Sequence, residues 1–513
     1  MLRALLYPRS RRISNSFLAA LLLLLLGCSE QPTEAFRFGL ASAPTTLDPR
    51  YATDAVSSRI TRLLYRALVD FDKSAQPVAA LATWQTMSPT RYRFRLKEGP
   101  GRRFHNGHRL TAWDVQATYE SVLDPKTASP HRTLLRRIHG IEVLNEDTME
   151  FRLAAPDPLF PGRLTLGILP KGLLKQGHDF SREPVGSGPF VFRDWPDEGR
   201  LRLARRVDGQ VVAFVRVADP TVRALKLLRG EIDLIQGDLP PELVHWLRMR
   251  PEVIVERAAG THFTYLGFNM EDPVVGQRSV RQAIAHALDR EAIVRHLMGG
   301  AARLASALLP PGHWAGHPSL PRIEYDPAKA HALLRAAGYT SRRRPHVVYK
   351  TSSDPFRIRL ATVVQDQLQR VGFTVDVKSY DWGTFYGDIK AGRFQMYSLS
   401  WVGIKMPDIF RYAFHSESLP PRGANRGHLV SRTADRLIEQ AEGTQSVAEQ
   451  ARLFRALQAY LLDELPYVPL WYEDNVLVAR RGLGGYRLAS DGNYDGLVGV
   501  HRVRDDNAAK KLF

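Results

Sequence analysis

Residues 279–290 read S-V-R-Q-A-I-A-H-A-L-D-R. Val280, Ile284, Ala287 and Leu288 fall on one face of a helix, and Ser279 and Gln282 stand at capping-box spacing ahead of it. The chain beyond keeps alternating. Asp326 and Pro327 predict the N-cap and first turn of a helix that Gly338 stops. A strand follows over residues 346–350, then a helix over 356–371 stopped by Gly372, then a strand over 373–377. Ser446 and Glu449 open a long helix to Leu462, and residues 467–471 and 476–479 predict two closing strands. Strands and helices in this alternation make an α/β fold.

The first half has the same grain with more punctuation. Residues 36–40 alternate as a first strand, followed by the proline-marked loop A-P-T-T-L-D-P over 43–49. A helix is predicted over 56–68, with Ile60, Leu63, Leu64 and Ala67 on one face. Residues 91–96, R-Y-R-F-R-L, predict a strand with one apolar and one cationic face. After a turn at 104–107, Thr111 and Asp114 open a helix through Tyr119, and 141–145 with 148–153 form a hairpin around Glu146 and Asp147. From residue 184 the texture is Gly and Pro followed by a strand at 190–192, a helix at 221–228 and a short buried strand at 231–236. No internal repeat is present.

The 513 residues are 44% hydrophobic and 24% charged, a globular composition long enough for two or three domains. The formal charge is +18, and removal of residues 1–27, which hold four arginines and no acids, leaves +14. Lys and Arg are scattered, and the densest run, Arg342 to Arg344, sits beside Pro345 without any nucleic-acid signature. The charge therefore reads as a solvated basic surface near an anionic membrane, with no nucleic-acid partner.

Arg3, Arg9, Arg11 and Arg12 precede an apolar run over 17–26, and Cys28 is the chain's single cysteine. A cationic start, a short apolar run and a small residue at the cut describe an export signal. The run is half the roughly 20 residues that span a bilayer as a helix, which argues against the alternative of an uncleaved anchor. Ser10, Arg11 and Arg12 offer a twin-arginine route as a second alternative, although Ile13, Ser14 and Asn15 depart from its pattern. The string L-L-G-C resembles a bacterial lipobox, which implies cleavage before Cys28 and its acylation. Residues 1–27 would then be the signal peptide and 28–35 a lipidated tether. The protein would work in the periplasm, bound to a cell-envelope membrane through Cys28.

Catalytic patterns are sparse. No H-E-x-x-H or Walker loop occurs. Ser187 lies in V-G-S-G-P, where Val185 replaces the first glycine of a nucleophile elbow. His105 and His108 lack further ligands at metal spacing and read as a surface turn, and Asp463 with Glu464 read as solvated charges at a helix end. The expectation is a protein that is no enzyme and uses no cofactor or metal.

Several strings together resemble one family. F-H-N-G-H-R-L-T-A-W-D-V (104–115), G-S-G-P-F (186–190), the opening string at 279–290, A-L-L-R-A-A-G-Y (332–339), residues 367–375 and L-P-Y-V-P-L (465–470) are similar to motifs of family 5 extracellular solute-binding proteins. These are the peptide, nickel and related receptors of bacterial ABC importers. The resemblance implies a two-lobed α/β periplasmic binding protein fold, class II or cluster C type, with an inserted subdomain. Lobe I would comprise 36–61, 184–265 and 486–513, the inserted subdomain 62–183, and lobe II 266–485. A hinge motion would close the lobes over cargo, and ABC permease subunits would receive it from a monomeric receptor.

The same resemblance locates the cargo. Peptide-binding members use a W-x-G-D-type segment whose aspartate pairs with the ligand ammonium. Here residues 401–408 read W-V-G-I-K-M-P-D, with Ile404 at the aspartate position and Lys405 after it. Asp408 is the candidate substitute, with a helix N-cap as its rival role. Trp401 is a candidate cleft wall, Phe268 and Asn269 fall at a crossover, and Arg422 and Arg426 could clamp a carboxylate or phosphate. His415 resembles the histidine of nickel-chelate receptors. The expected cargo is a short peptide or peptide-like solute. The alternatives are a metal chelate, a sugar or an amino-acid conjugate, and more distantly a secreted cell-wall hydrolase.

Overall fold

The computed structural model describes residues 35–503. The predicted signal, Cys28 and its lipid, residues 28–34 of the tether, and residues 504–513 lie outside the described residues.

Two long antiparallel strands, Val253–Phe268 and Tyr467–Arg480, run through the middle of one large mixed sheet. On one side, Val253–Phe268 pairs with Met396–Trp401, which is followed by the parallel strands His346–Ser352 and Thr374–Tyr380. On the other, Tyr467–Arg480 pairs with Leu234–Gln236, followed by Phe36–Leu40, Val211–Arg216, Arg200–Arg205 and Phe190–Asp197. The parallel strands carry helices between them, as right-handed crossovers require. Pairing of the two long strands slips between Ala258/Asn475 and His262/Glu473. A Cβ on Gly260 there would stand 2.0 Å from the Glu473 carbonyl oxygen, so glycine is needed for the close approach.

A separate antiparallel sheet is built from Ala82–Ser88, Arg91–Leu96, Thr148–Leu153 and Ile138–Asn145. The alternation at 91–96 works as read: Tyr92, Phe94 and Leu96 are buried. Phe94 meets Phe151 edge-on, and Phe151 meets Tyr119 of the helix Ala112–Leu123 in the same way. Thr111 and Asp114 form the full capping box of that helix.

Helix starts at Asp326 and Ser446 are capped by those side chains, and Gly338 and Gly372 carry positive φ at the stops. Three expectations and one omission need correction. The helix of the opening string starts earlier, as Arg278–Ala287 with Gln277 at the N-cap and no side-chain cap bond. The Asp272 carboxylate accepts from Val274 N and Val275 N, and Arg281 donates to the carbonyls of Val275 and Gly276. Those tertiary ties fold the lead-in and leave Ser279 inside the helix. The two closing strands are one, Tyr467–Arg480. The preceding long strand, Val253–Phe268, went unread because its bulge breaks the alternation.

The fourth correction concerns the helix predicted over 56–68, which is Ala55–Leu64. Gly188 N donates to the Leu64 carbonyl at 2.8 Å, taking the helix end. A Cβ on Gly186 or Gly188 would lie 2.0 Å from Leu64 O or 2.3 Å from Leu63 O, respectively. The G-S-G-P string is thus a packed cap on this helix, and the chain leaves extended at Tyr65.

Candidate functional site

The helix Ala55–Leu64 begins on Asp54, whose carboxylate accepts from Ser57 N at 2.8 Å and Thr45 Oγ1 at 2.6 Å. Its apolar face is buried, and Arg59 and Arg62 face the other way, into a cleft of about 830 Å3. The opposite wall comes from the loop after strand Met396–Trp401, at Val402, Gly403 and Lys405. Arg163 and the loop at Asp491 and Asp495 complete it.

The charges of this cleft are tied to one another. Arg62 holds Asp70 at 2.5 Å and Asp495 at 2.9 Å. Burial works to raise the Asp70 carboxyl, but the hydrogen bonds and charge of Arg62 win and hold it below its ordinary value. Lys405 Nζ lies 2.7 Å from Asp491 Oδ2 and 5.5 Å from the centre of the Phe71 ring. Asp491 is likewise depressed: burial opposes, and the charge of Lys405 decides. Arg163 reaches Asp157 Oδ2 and Asp408 Oδ2, each at 2.7 Å.

Ile404 packs against the apolar core that includes Phe263, Tyr397 and Phe410. The backbone at Lys405 is fixed from behind, because its carbonyl lies 3.0 Å from His313 Nε2. Burial pushes His313 down, so its ring is neutral and Nε2 donates. Side chain 404 therefore enters the core and side chain 405 enters the cleft.

At the slip between the long strands lies a second polar group. Glu473 Oε1 accepts from Thr264 Oγ1 at 2.6 Å and stands 3.5 Å from Arg357 Nη2. Arg357 Nη1 and His262 Nε2 are buried with no partner among the described residues. Burial, aided by Arg59 and opposed by Glu473, pushes the His262 pKa down.

The residues singled out by sequence divide in their placement. Asp408 is about three-quarters buried and spends its carboxylate on Arg163, with no side-chain bond to the helix Ile409–Phe414 that it precedes. Trp401 and Arg426 meet: the guanidinium lies 4.9 Å from the indole centre and 5.4 Å from that of Tyr386, and donates to Tyr265 Oη and Tyr386 Oη. Trp401 Nε1 is buried with no partner among the described residues. Phe268 is fully buried in the core. Asn269 Nδ2 donates to the carbonyls of Gly392 and Phe394, fastening two loops. Arg422 is exposed. His415 Nε2 lies 3.2 Å from Glu439 Oε1, and no metal-holding cluster of His, Cys, Asp or Glu exists among the described residues. Sequence reasoning passed over Arg59, Arg62, Asp491 and Arg357. The spacing of Arg59 and Arg62 on the polar face of a capped helix is the one signal that marked a pair of them.

Comparison with known proteins places this architecture. Residues 74–418 match the family described as bacterial extracellular solute-binding proteins, family 5 Middle. The chain is 26% identical over 490 residues to di/tripeptide-binding protein 2 of Pseudomonas aeruginosa strain UCBPP-PA14, covering 87% of this chain and 91% of that one. It is 25% identical over 466 residues to the glutathione-binding protein GsiB of Escherichia coli O6:K15:H31, covering 87% and 90%. Among solved structures, the periplasmic binding protein DppA of Helicobacter pylori, in complex with the peptide STSA, superposes with a TM-score of 0.76 at 25% identity, covering 92% and 98%. The substrate-binding protein CtaP of Listeria monocytogenes shares the fold with a TM-score of 0.83 at 23% identity, covering 92% and 100%. Among the described residues no helix is long and apolar enough to cross a membrane. With its strand order, its cleft and this match over most of its length, the chain belongs to the family 5 bacterial extracellular solute-binding proteins.

Proposed function

We propose that this protein captures short peptides or a peptide-like solute outside the cytoplasmic membrane and hands it to an ABC permease. The observation that carries the reading is the cleft of about 830 Å3, roofed by the 402–405 loop and floored by the Arg59/Arg62 helix, in a chain of this family. That volume suits a small solute rather than a protein segment. The relatives named for di/tripeptides and glutathione support a peptide-like cargo.

The cargo lies between lobe II, 266–485, and the other two units: lobe I, 36–61, 184–265 and 486–513, and the inserted subdomain, 62–183. Lys405–Asp491 and Arg163–Asp408 are then pairs made between lobes. Closure is a population shift, because cargo touches both walls only when they are together. A lipid on Cys28 keeps the monomeric receptor at the membrane where its permease works.

The test is thermal melting of the full-length protein against peptides, amino-acid conjugates, metal chelates and sugars. A ligand at 100 times its Kd adds about 2.7 kcal/mol of stability, well within reach of the method. The midpoint is expected to rise with the peptide-like class. A rise with chelates or sugars alone would replace the peptide reading with another cargo.

A further inference from the structure

The cleft already contains an amine. Lys405 Nζ has a carboxylate, Asp491, at 2.7 Å and an aromatic face, Phe71, at 5.5 Å. Those are the two kinds of group that recognise an ammonium ion. Lys405 is not free to leave easily. Its carbonyl is bonded to His313, and its neighbour Ile404 is packed in the core. A free ammonium from solution must therefore displace a tethered one, whose effective concentration is on the order of millimolar or above.

The other acids offer no substitute. Asp70 and Asp495 both hold Arg62, and Asp408 holds Arg163. Cations, by contrast, are in surplus at the wall. Arg59 and Arg66 both line the cleft, and among the described residues neither has a carboxylate within 4.0 Å. The Arg59 guanidinium rests over the Tyr494 ring, 5.4 Å from its centre. A half-buried guanidinium without a counter-charge favours any cargo that supplies a carboxylate, which it can grip by two parallel bonds. An ammonium brought to the same place would meet like charge and lose its water.

Resting on the reading of this cleft as the cargo site, we propose that Lys405 is a built-in stand-in for a cargo ammonium, so that the protein selects peptide-like solutes that carry carboxylate and lack a free amine. N-acylated peptides have that chemistry. The cargo's carboxylate meets Arg59 and Arg66, and its blocked end lies beside the Lys405–Asp491 pair without challenging it.

The experiment uses full-length protein, an equimolar tripeptide mixture and the same mixture after complete N-acetylation. Bound mass is read by native mass spectrometry and affinity by calorimetry. The wild type is expected to bind the acetylated mixture at least tenfold more tightly. Lys405→Met frees Asp491 and is expected to reverse the preference by tenfold or more. Asp491→Asn, a second variant should the first fail to fold, keeps the amine and is expected to keep the acetylated preference. A wild type that favours free amines overturns the inference while leaving the receptor reading intact. So does a Lys405→Met preference equal to that of the wild type, or an Asp491→Asn protein that turns to free amines. If neither mixture binds the wild type, both the inference and the peptide reading fall.

Discussion

His105 shows how much chemistry one side chain of a motif can carry. Gly186 N donates to its Nδ1 at 3.3 Å, and its Nε2 lies 3.2 Å from Gly188 O. A backbone N–H can only donate, so Nδ1 accepts and Nε2 bears the proton; the neutral ring satisfies both neighbours. Burial lowers the His105 pKa to about 4, against the pull of the Gly188 bond and with help from Arg206. An unfolded histidine titrates near 6.5, so between these values the unfolded chain binds a proton that the folded chain refuses. Stability is full above about pH 6.5 and falls as the pH drops toward 4, by about 3 kcal/mol in total. His105→Asn should cost about 1 kcal/mol at pH 7 through its altered hydrogen bonds, yet draw level with the wild type at about pH 6 and exceed it by about 1 kcal/mol near pH 5. Urea midpoints measured from pH 7 to 4.5 decide it; parallel curves for the two proteins would reject the argument. In the sequence, His105 reads as a surface turn, and Gly186 and Gly188 read as Gly and Pro texture ahead of a strand. Each was visible alone, but the contact that joins the two strings is long-range, and local periodicity does not report such contacts.

Elements were legible where their ends are written into adjacent residues. The starts at Asp326 and Ser446 and the stops at Gly338 and Gly372 depend on side chains and φ values within one turn, and they were read in place. The helix Ala55–Leu64 stops early because a distant glycine supplies the bond at its end, and the strand Val253–Phe268 hid behind its own bulge. Where a tertiary contact sets the boundary, propensity is overruled. A pair of glycines separates the two cases by measurement. Gly188→Ala places its Cβ 2.3 Å from Leu63 O and 2.5 Å from Leu64 C, against backbone that cannot step aside, and should cost about 3 kcal/mol or more. Gly172→Ala, in the helix Lys171–Lys175 with nothing within 4 Å, should be neutral or stabilise by about 0.5 kcal/mol. Denaturant midpoints of equal size for the two would show that the cap is not the constraint it is taken to be. Asp54→Ala belongs to the same scale: loss of its bonds to Ser57 and Thr45 should remove about 1 kcal/mol, and a midpoint within error of the wild type would deny it that role.

At the scale of the whole molecule, the α/β alternation and the family strings made the architecture legible, while the electrostatics of the cleft did not show. Lys405 and Asp491, or Arg163 and Asp408, are far apart in the chain, and their pairing depends on a fold that brings both walls together. With the lobe bounds proposed above, these pairs give the closed arrangement a stability of its own, before any cargo arrives. Both acids are about three-quarters buried, 23% exposed for Asp491 and 25% for Asp408, so solvent screens them less than surface pairs. At about 1 kcal/mol each, they bias the lobes by about 2 kcal/mol. That is about a 30-fold change in the ratio of closed to open forms. Asp408→Asn with Asp491→Asn should therefore open the ligand-free protein. Arg163 keeps Asp157, so the first change leaves no stranded guanidinium. Small-angle scattering should show a larger radius of gyration for the double variant than for the wild type, and each single variant should fall between them. Cargo should bring the double variant back toward the wild-type radius, with a weaker apparent affinity because part of its binding energy now closes the lobes. Identical radii for all four ligand-free proteins would mean that packing along the two long strands, and not these ion pairs, sets the resting position.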